Sequence, residues 1–326
     1  MDGTRGTRLP GIVNESPSPN HRSDAGPLRA VVAGWYRGGM SLRGQALQEF
    51  DLPAAPQRID ELPSSAPETD ALRVHAPAGR FLLLCGAPAL SLAFEATLFD
   101  LLAESRYPAP RPRRARGGSL IALLGGQRAA SCYAWPPGEE LAPAEATVPQ
   151  LMDLGRLLAR LHQLGETHPA SVADPCDALS LLGRAPAGAE RDALDAVARA
   201  ALPQLPSGAG HGGLTPQRAL FIGERCSAVL PSGFAGSGAL VLDLAETAVG
   251  WVAGAQRPSA ALRALTSGYQ ALRRLLPEEK DAFFLALRYA AVREGARRLS
   301  TGRSGALDAL RAVEAVGEPE ARAAAG

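Results

Sequence analysis

The sequence contains a single lysine, Lys280, and its other basic side chains are arginines. Any mechanism that needs a lysine in the N-terminal part of the chain is therefore excluded. Acidic and basic residues nearly cancel, and the net charge of +1 argues against binding to nucleic acid through bulk positive charge. Charged residues are few (21%) and hydrophobic residues many (46%), so the chain of 326 residues can bury a full core.

Cysteines and long apolar runs are also scarce. Cys85, Cys132, Cys176 and Cys226 are far apart and form no CxxC pair, so we expect neither a zinc site nor a disulfide framework. The most apolar stretch, Phe81–Phe94, covers 14 residues, against the roughly 20 that a membrane span needs. The N-terminus lacks the apolar core of a signal peptide. These absences predict a soluble, cytoplasmic protein without a membrane or nucleic-acid partner.

Composition changes along the chain and predicts two lobes between two tails. Residues 1–40 begin with a long stretch rich in Gly, Pro, Ser, Asn and Arg, which predicts a flexible tail. Residues 41–135 predict a small lobe with a helix at 41–50, a hairpin turning at "APAG" and a helix in "SLAFEATLFDLLAES". Residues 136–301 predict a helical lobe after a hinge, and 302–326 a weak helix with a loose end. The predicted fold is α+β and two-lobed like a protein kinase, with a small antiparallel-sheet N-lobe and a larger helical C-lobe.

The helical part contains the segments on which a functional interpretation depends. In "LMDLGRLLARLHQLG", four leucines recur at helical spacing and predict an amphipathic helix. The loop "HGGLTPQRALF", residues 211–221, has the form of a catalytic loop, with a His-Gly pair, a turn and an apolar strand. The segments "RALFIG" and "CSAVLP" predict two short strands, and helices are predicted over about 239–252, 258–275 and 278–299.

These segments together resemble the homoserine kinases of the aminoglycoside-phosphotransferase/choline-kinase type. "HGGLTPQRALFIGERCSAVLPSGFAGSGALVLDLAETAVGWV" aligns without gaps with that family's His-Gly/Ala-Asp-Leu, four residues to Asn, an apolar strand and Ile-Asp-Phe. "SGYQALRRLLPEEKDAFFLALRYAAVREGARRL" is similar to its Gly-Tyr-Gln and Arg-Gly-x-Ala-Leu-Arg helices, and the likeness covers roughly residues 45–300. The resemblance implies transfer of a phosphoryl group from ATP, with Mg²⁺, to a small hydroxyl substrate.

Three positions depart from the family's pattern at the residues that carry this chemistry. The family's catalytic Asp falls on Gly213, its Asn on Arg218 and its metal-binding Asp on Pro231. Glycine cannot accept a proton, arginine carries a fixed positive charge, and proline offers only a carbonyl. The segment that resembles the nucleotide loop, "APETDALRV", has no glycine with which to cradle phosphate. These substitutions predict that no catalytic residue is intact and that there is no metal site. The loss of a general base alone lowers reaction rates by about 10²–10⁴.

Other polar residues are expected to support the site. In the resembled family the histidine at His211 fixes the loop, although it is also a candidate base. Asp243 is expected to cap a helix or form a buried salt bridge, against the alternative that it rescues a metal site. Arg218 is a candidate phosphate ligand, against the alternative of a solvated or salt-bridged side chain. Arg288 and Arg293 are candidates for a carboxylate pocket, unless they pair with the "PEEKD" segment.

Two further side chains have a functional and a structural interpretation. Glu95 is a candidate for the acid of the helix that bridges the lobes, and Ser91 is the alternative position for the family's acid. Because no lysine is available, the cation that would pair with Glu95 is an arginine such as Arg73. His162 closes the amphipathic helix and is expected to pack at the edge of the core. The cluster "RPRRARGG" is expected to be a solvated turn rather than a nucleic-acid contact.

The sequence therefore leaves three functions open. The first is a pseudokinase with a ligand-binding or regulatory role, which binds a small amino-acid-like molecule or a nucleotide, or acts on a protein partner. The second is an active, ATP-dependent small-molecule kinase that uses relocated acids and phosphorylates homoserine for threonine biosynthesis. The third is a structural or assembly protein. ATP and Mg²⁺ are expected as cofactors only if activity is retained.

Overall fold

The computed structural model describes residues 41–53, 55–63, 69–168, 172, 178–200 and 202–326. The predicted tail at 1–40 and Cys176 lie outside the described residues. Within the described ranges, no helix combines the length and the apolar character that crossing a membrane requires.

A small antiparallel sheet forms the N-terminal part of the described chain. Its strands hydrogen-bond in the order β1-β2-β3-β6-β4, and β5 also pairs with β6. The β2–β3 hairpin turns at the predicted "APAG", where Gly79 has a φ of 128° that other residues rarely adopt. The strands are β1 (Arg58–Leu62), β2 (Asp70–Ala76), β3 (Gly79–Pro88), β4 (Pro112–Arg113), β5 (Ala122–Leu123) and β6 (Arg128–Ala134), and the flanking helices are α1 (Leu42–Glu49) and α2 (Ala89–Glu104).

Strand β3 is apolar on both faces because each face packs against other elements. Phe81 and Leu83 lie in a cluster with the buried side of α1, whereas Leu82 and Leu84 lie in the main core with α2. Side chains alternate between the faces of a strand, so the continuous run "FLLLC" fills two layers at once. The predicted helices at 41–50 and in "SLAFEATLFDLLAES" are confirmed.

Helices dominate the rest of the chain, and together with the small sheet they confirm the predicted α+β, two-lobed fold. The leucine stripe of α3 is buried, as predicted. Two short antiparallel pairs, β7 with β10 and β8 with β9, lie among the helices. The elements are α3 (Val148–Gly165), α4 (Ala178–Arg184), α5 (Ala189–Ala198), β7 (Ser207–Gly210), β8 (Ala219–Ile222), β9 (Arg225–Val229), β10 (Gly236–Ala239), α6 (Leu240–Val252), α7 (Pro258–Gln270), α8 (Pro277–Ser300) and α9 (Asp308–Ala325).

The segment that connects the two parts is tied to both. After β6 ends, Trp135 N donates to Arg80 O in the sheet at 2.8 Å. Glu139 and Phe221 then exchange backbone hydrogen bonds of 2.9 and 3.0 Å. Since Phe221 belongs to β8, the connection lies directly beside the strand that follows the loop predicted to be functional.

Two segments differ from their sequence predictions. Residues 302–326 are predicted to contain a weak helix and a loose end, but residues 308–325 form α9, which is interrupted at Gly317 (φ 78°, ψ 160°) and packs against α7 and α8. Its buried residues include Val313, Ala321 and Ala325, and such small side chains give a weak apolar signal while allowing close packing. "SLIALLGG", predicted as a strand, supplies only the two residues of β5, and the longer strand is β6.

We expect Thr147→Ala to lower the free energy of unfolding by about 1 kcal/mol. The Thr147 hydroxyl accepts a hydrogen bond from Gln150 N at 3.4 Å, and the Gln150 side chain accepts one from Thr147 N at 2.9 Å. This capping box satisfies two backbone donors at the start of α3. Urea unfolding measures the loss, with Thr97→Ala inside α2 as the control. An equal loss in the control would show that the cap is not the cause.

Candidate functional site

The loop at residues 211–214 is held by one face of helix α6. Asp243 accepts hydrogen bonds from the backbone N–H groups of His211, Gly212 and Gly213 at 2.7, 2.9 and 2.8 Å. One and two turns further along the helix, the Thr247 hydroxyl accepts from Leu214 N and the Trp251 ring nitrogen donates to Leu214 O. The spacing of 243, 247 and 251 places all three side chains on one side of α6.

The carboxylate of Asp243 is buried and remains charged. Burial raises its pKa, but hydrogen bonding and charge from His162, together with His211, outweigh burial and lower the pKa from 3.8 to about 2. His162 Nε2 lies 2.9 Å from the carboxylate, and its Nδ1 lies 2.7 Å from the Tyr269 hydroxyl. His162 therefore belongs to a buried polar network, which corrects the expectation of simple packing at the edge of the core.

His211 lies inside the loop's own hydrogen bonding. Its Nε2 is 2.8 Å from Leu230 O, and burial lowers the pKa of the imidazole. The Ser232 hydroxyl donates to His211 O at 2.7 Å. These contacts join the loop to the segment that contains Pro231, and they fit a positioning role for a neutral histidine.

Glu95 of α2 reaches the same segment, and its partners differ from the predicted arginine. It is fully buried and accepts hydrogen bonds from Ser232 N and Gly233 N, both at 2.8 Å. Burial raises the pKa of Glu95, against these backbone donors and the charge of Arg218. Arg73 instead pairs with Glu140 and stacks on Trp135 at 4.0 Å, so the Glu95–Arg73 hypothesis is wrong.

Arg218, at the end of the turn that precedes β8, is a buried cation. It is 1% exposed, and its Nη2 donates to Pro63 O at 3.1 Å. Among the described residues, its Nε and Nη1 have no hydrogen-bond partner. Burial lowers the pKa of the guanidinium, and the charges of Glu95 and Glu140 oppose this shift. The alternatives to phosphate binding are a solvated or a salt-bridged side chain, and the burial of Arg218 rules out the solvated one.

The residues present do not fit a magnesium ion at the family's position. Gly213 and Pro231 carry no donor side chain, and Arg218 brings a positive charge. Within the described ranges, no three His, Cys, Asp or Glu side chains are grouped so that they could hold a metal. A restored aspartate at 213 would also be strained, because Gly213 has a φ of +94° and an added Cβ would lie 3.3 Å from Glu246 Cβ.

A cavity of about 580 Å³ opens in front of this loop. Its walls come from the loop, from α6 and from the end of α8, and its charged lining residues are Glu246, Glu294, Arg297, Arg298 and Arg303. Glu246 is 7% exposed and pairs with Arg293. Glu246 is not among the residues predicted from the sequence, although it lies three residues after Asp243 and thus near the same side of the helix.

The two arginines proposed for a shared carboxylate pocket lie apart. Arg293 pairs with Glu246 beside the cavity, whereas Arg288 is partly exposed and pairs with Glu314 of α9 at 2.7 Å. The alternative prediction, that both arginines pair with the acids of the "PEEKD" segment, is also wrong, because their ion-pair partners are Glu314 and Glu246. A spacing of five residues turns the helix through about 500°, which separates the two side chains.

Known proteins share both sequence and fold with this chain. Residues 61–278 match the phosphotransferase enzyme family. The homoserine kinase of Rhodopseudomonas palustris (strain BisB18) is 30% identical over 238 residues, which are 68% of this chain and 72% of that protein. The homoserine kinase of Acidiphilium cryptum (strain JF-5) is 31% identical over 214 residues, which are 60% and 65% of the two chains.

Solved structures show the same architecture at low sequence identity. A microcompartment-associated aminopropanol kinase superposes with a TM-score of 0.59 at 16% identity, covering 86% of this chain and 94% of that one. An amicoumacin kinase in complex with AMP-PNP and Ca²⁺ gives a TM-score of 0.60 at 13% identity, covering 90% and 96%. At these identities the likeness shows the fold, and the chemistry depends on the residues of the site.

Proposed function

Since this chain belongs to the phosphotransferase enzyme family and is homoserine-kinase-like, we propose that it binds a small molecule without transferring phosphate by the magnesium-dependent route. The binding site is the cavity between the loop at 211–217 and the end of α8. In this proposal the protein has a ligand-binding or regulatory role rather than the catalytic role of its relatives.

The buried Arg218 is the observation that carries the proposal. Its guanidinium stands where the family pattern requires an amide oxygen for a cation, and like charges repel Mg²⁺ from this position. Glu95, a buried acid whose charge acts on Arg218, already accepts hydrogen bonds from the backbone of Ser232 and Gly233. Phosphoryl transfer depends mainly on positioning of the substrates and on neutralisation of the phosphate charge. Without a bound Mg²⁺ and without a carboxylate at 213, this proposal leaves the protein with neither contribution.

A transfer assay tests the proposal directly. We expect purified protein with Mg-ATP and L-homoserine to produce phosphorylated product at least about 10²–10⁴ times more slowly than an intact relative such as the Rhodopseudomonas palustris homoserine kinase. Coupled ADP release and mass spectrometry of the product measure the rate. Transfer within tenfold of that relative would sink the proposal.

A working kinase is the second candidate, and one observation favours it. Glu246 lies against Gly213, the position of the family's catalytic Asp, and it also lines the cavity. A relocated carboxylate could orient an alcohol from there without a side chain at 213. The names of the curated relatives fit this candidate at least as well as the first.

The two candidates predict different behaviour for Glu246→Gln. If Glu246 orients the substrate, the variant loses about 10²–10⁴ in transfer rate. If the protein only binds, both forms remain equally slow. Thr215→Ser, which keeps a hydroxyl in the cavity lining, is the matched control and should leave any transfer unchanged.

A further inference from the structure

We infer that the cavity takes a small molecule with a doubly charged oxyanion group, such as a phosphate monoester or a dicarboxylate. This inference rests on the proposed function, because it names the chemical class of the ligand for the same cavity. The charge distribution of the lining residues, with Arg297 as the anchor, carries it.

The charges around the cavity do not cancel. Glu246 is matched by Arg293, which pairs with it from outside the cavity lining. Glu294 forms ion pairs with both Arg298 at 2.9 Å and Arg297 at 3.4 Å, and no other described carboxylate lies within 4 Å of either guanidinium. One carboxylate between two guanidinium groups leaves one positive charge without a match.

Arg303 supplies a second excess charge at the mouth of the cavity. It is exposed, and among the residues that the structure describes it makes no ion pair. Among the described residues, the four arginines at or beside the cavity (Arg293, Arg297, Arg298 and Arg303) are matched by two glutamates (Glu246 and Glu294), which leaves an excess of two positive charges. A neutral amino acid would not balance this excess, whereas a group with two negative charges would.

Arg297 is the side chain best placed to anchor such a group. It is 8% exposed, lines the cavity and lies over the Phe234 ring at 5.1 Å. Its Nε and Nη2 have no hydrogen-bond partner in the described ranges. The planar guanidinium suits an oxyanion because two parallel N–H donors can bind two of its oxygens.

Calorimetric titration of the full chain at constant ionic strength tests the inference. The probes are O-phospho-L-serine, inorganic phosphate, succinate and L-serine. We expect at least one dianion to bind tenfold or more tightly than L-serine, and the preference between phosphate and dicarboxylate identifies the source of the charge. Equal affinity for L-serine, or no binding of any probe, would overturn the inference.

Substitutions along α8 distinguish binding of the dianion at a specific site from attraction by the overall positive charge. Arg297→Met should weaken binding of the dianion by about tenfold to a hundredfold, since a charge-assisted hydrogen bond is lost. Arg288→Met, on the same helix but paired with Glu314 outside the cavity, should leave the affinity unchanged. An equal loss in both variants would mean that only net charge matters, and the inference would fail.

Two further variants keep the test valid if Arg297→Met does not fold. Arg303→Met changes an exposed residue and should weaken binding several-fold. Glu294→Gln removes a competing carboxylate and should tighten binding of the dianion. Weaker binding in Glu294→Gln would point instead to a cationic ligand group and overturn the inference. The transfer assay on the same preparation reports separately on the proposed function, so the two can fail independently.

Discussion

Replacing Asp243 with alanine should lower the free energy of unfolding by about 3–5 kcal/mol, a large part of the roughly 5–15 kcal/mol by which an ordinary domain is stable. The carboxylate accepts hydrogen bonds from three consecutive backbone N–H groups at 2.7–2.9 Å, and His162 contacts it from the other side. Alanine would leave these buried donors without an acceptor. Chemical unfolding monitored by circular dichroism measures the loss.

Asp195→Ala provides the matched control. Asp195 pairs with Arg199 one turn away on the exposed side of α5, and such pairs contribute little to stability. We expect a change of less than about 0.5 kcal/mol there. A similarly small change for Asp243→Ala would show that the loop is held by other contacts.

The same carboxylate should produce a pH dependence of stability. Its pKa is about 2 in the folded protein against 3.8 as the ordinary value, so the native state holds fewer protons than the unfolded chain between these limits. The stabilisation is present above pH 3.8 and is lost as the pH falls through about 2. A shift of this size corresponds to about 2 kcal/mol. Asp243→Asn should remove this part of the acid dependence.

The fold could be predicted from sequence because its signals are local. The leucines of α3 recur at helical spacing, and the "APAG" turn separates two apolar runs that become β2 and β3. Helix α9 was underestimated because alanines fill its buried face. Short strands such as β5 depend on pairing with a neighbour, which sequence patterns do not show.

The candidate site was predicted only in part, for a related reason. The loss of the family's Asp, Asn and Asp at positions 213, 218 and 231 can be recognised by aligning the sequence with the family pattern. Glu246 of α6 approaches Gly213 of the loop, and Arg297 of α8 lies over Phe234 in the segment before β10. Both contacts join residues far apart in the sequence, so no local pattern indicates them. The spacing of four residues from Asp243 to Thr247 is a local signal for Thr247 as the loop's second anchor, since it places both side chains on one face of α6.

Replacing Arg218 with methionine should raise the free energy of unfolding by about 1–3 kcal/mol, although the change removes a buried side chain. Burial removes the guanidinium from water, which is unfavourable for a charged group. Among the described residues it forms one hydrogen bond in return, to Pro63 O, and its Nε and Nη1 have no partner. Methionine has a similar length and fills the space without polar groups. In the variant, Glu95 still accepts hydrogen bonds from the backbone N–H groups of Ser232 and Gly233, so its carboxylate does not lose all of its partners.

Arg293→Met is the control with the opposite expected sign. Arg293 is as deeply buried as Arg218, but it pairs with Glu246, and removing it leaves that carboxylate without its counter-charge. We expect a loss of about 3–5 kcal/mol for this variant. If Arg218→Met were also destabilising, the field of Glu95 would be sufficient to stabilise the buried cation, and Arg218 would be a structural residue. If Arg218→Met is stabilising, the folded chain carries a buried charge that its own contacts do not satisfy. That result would support the proposal that this position holds a cation in place of a ligand for Mg²⁺.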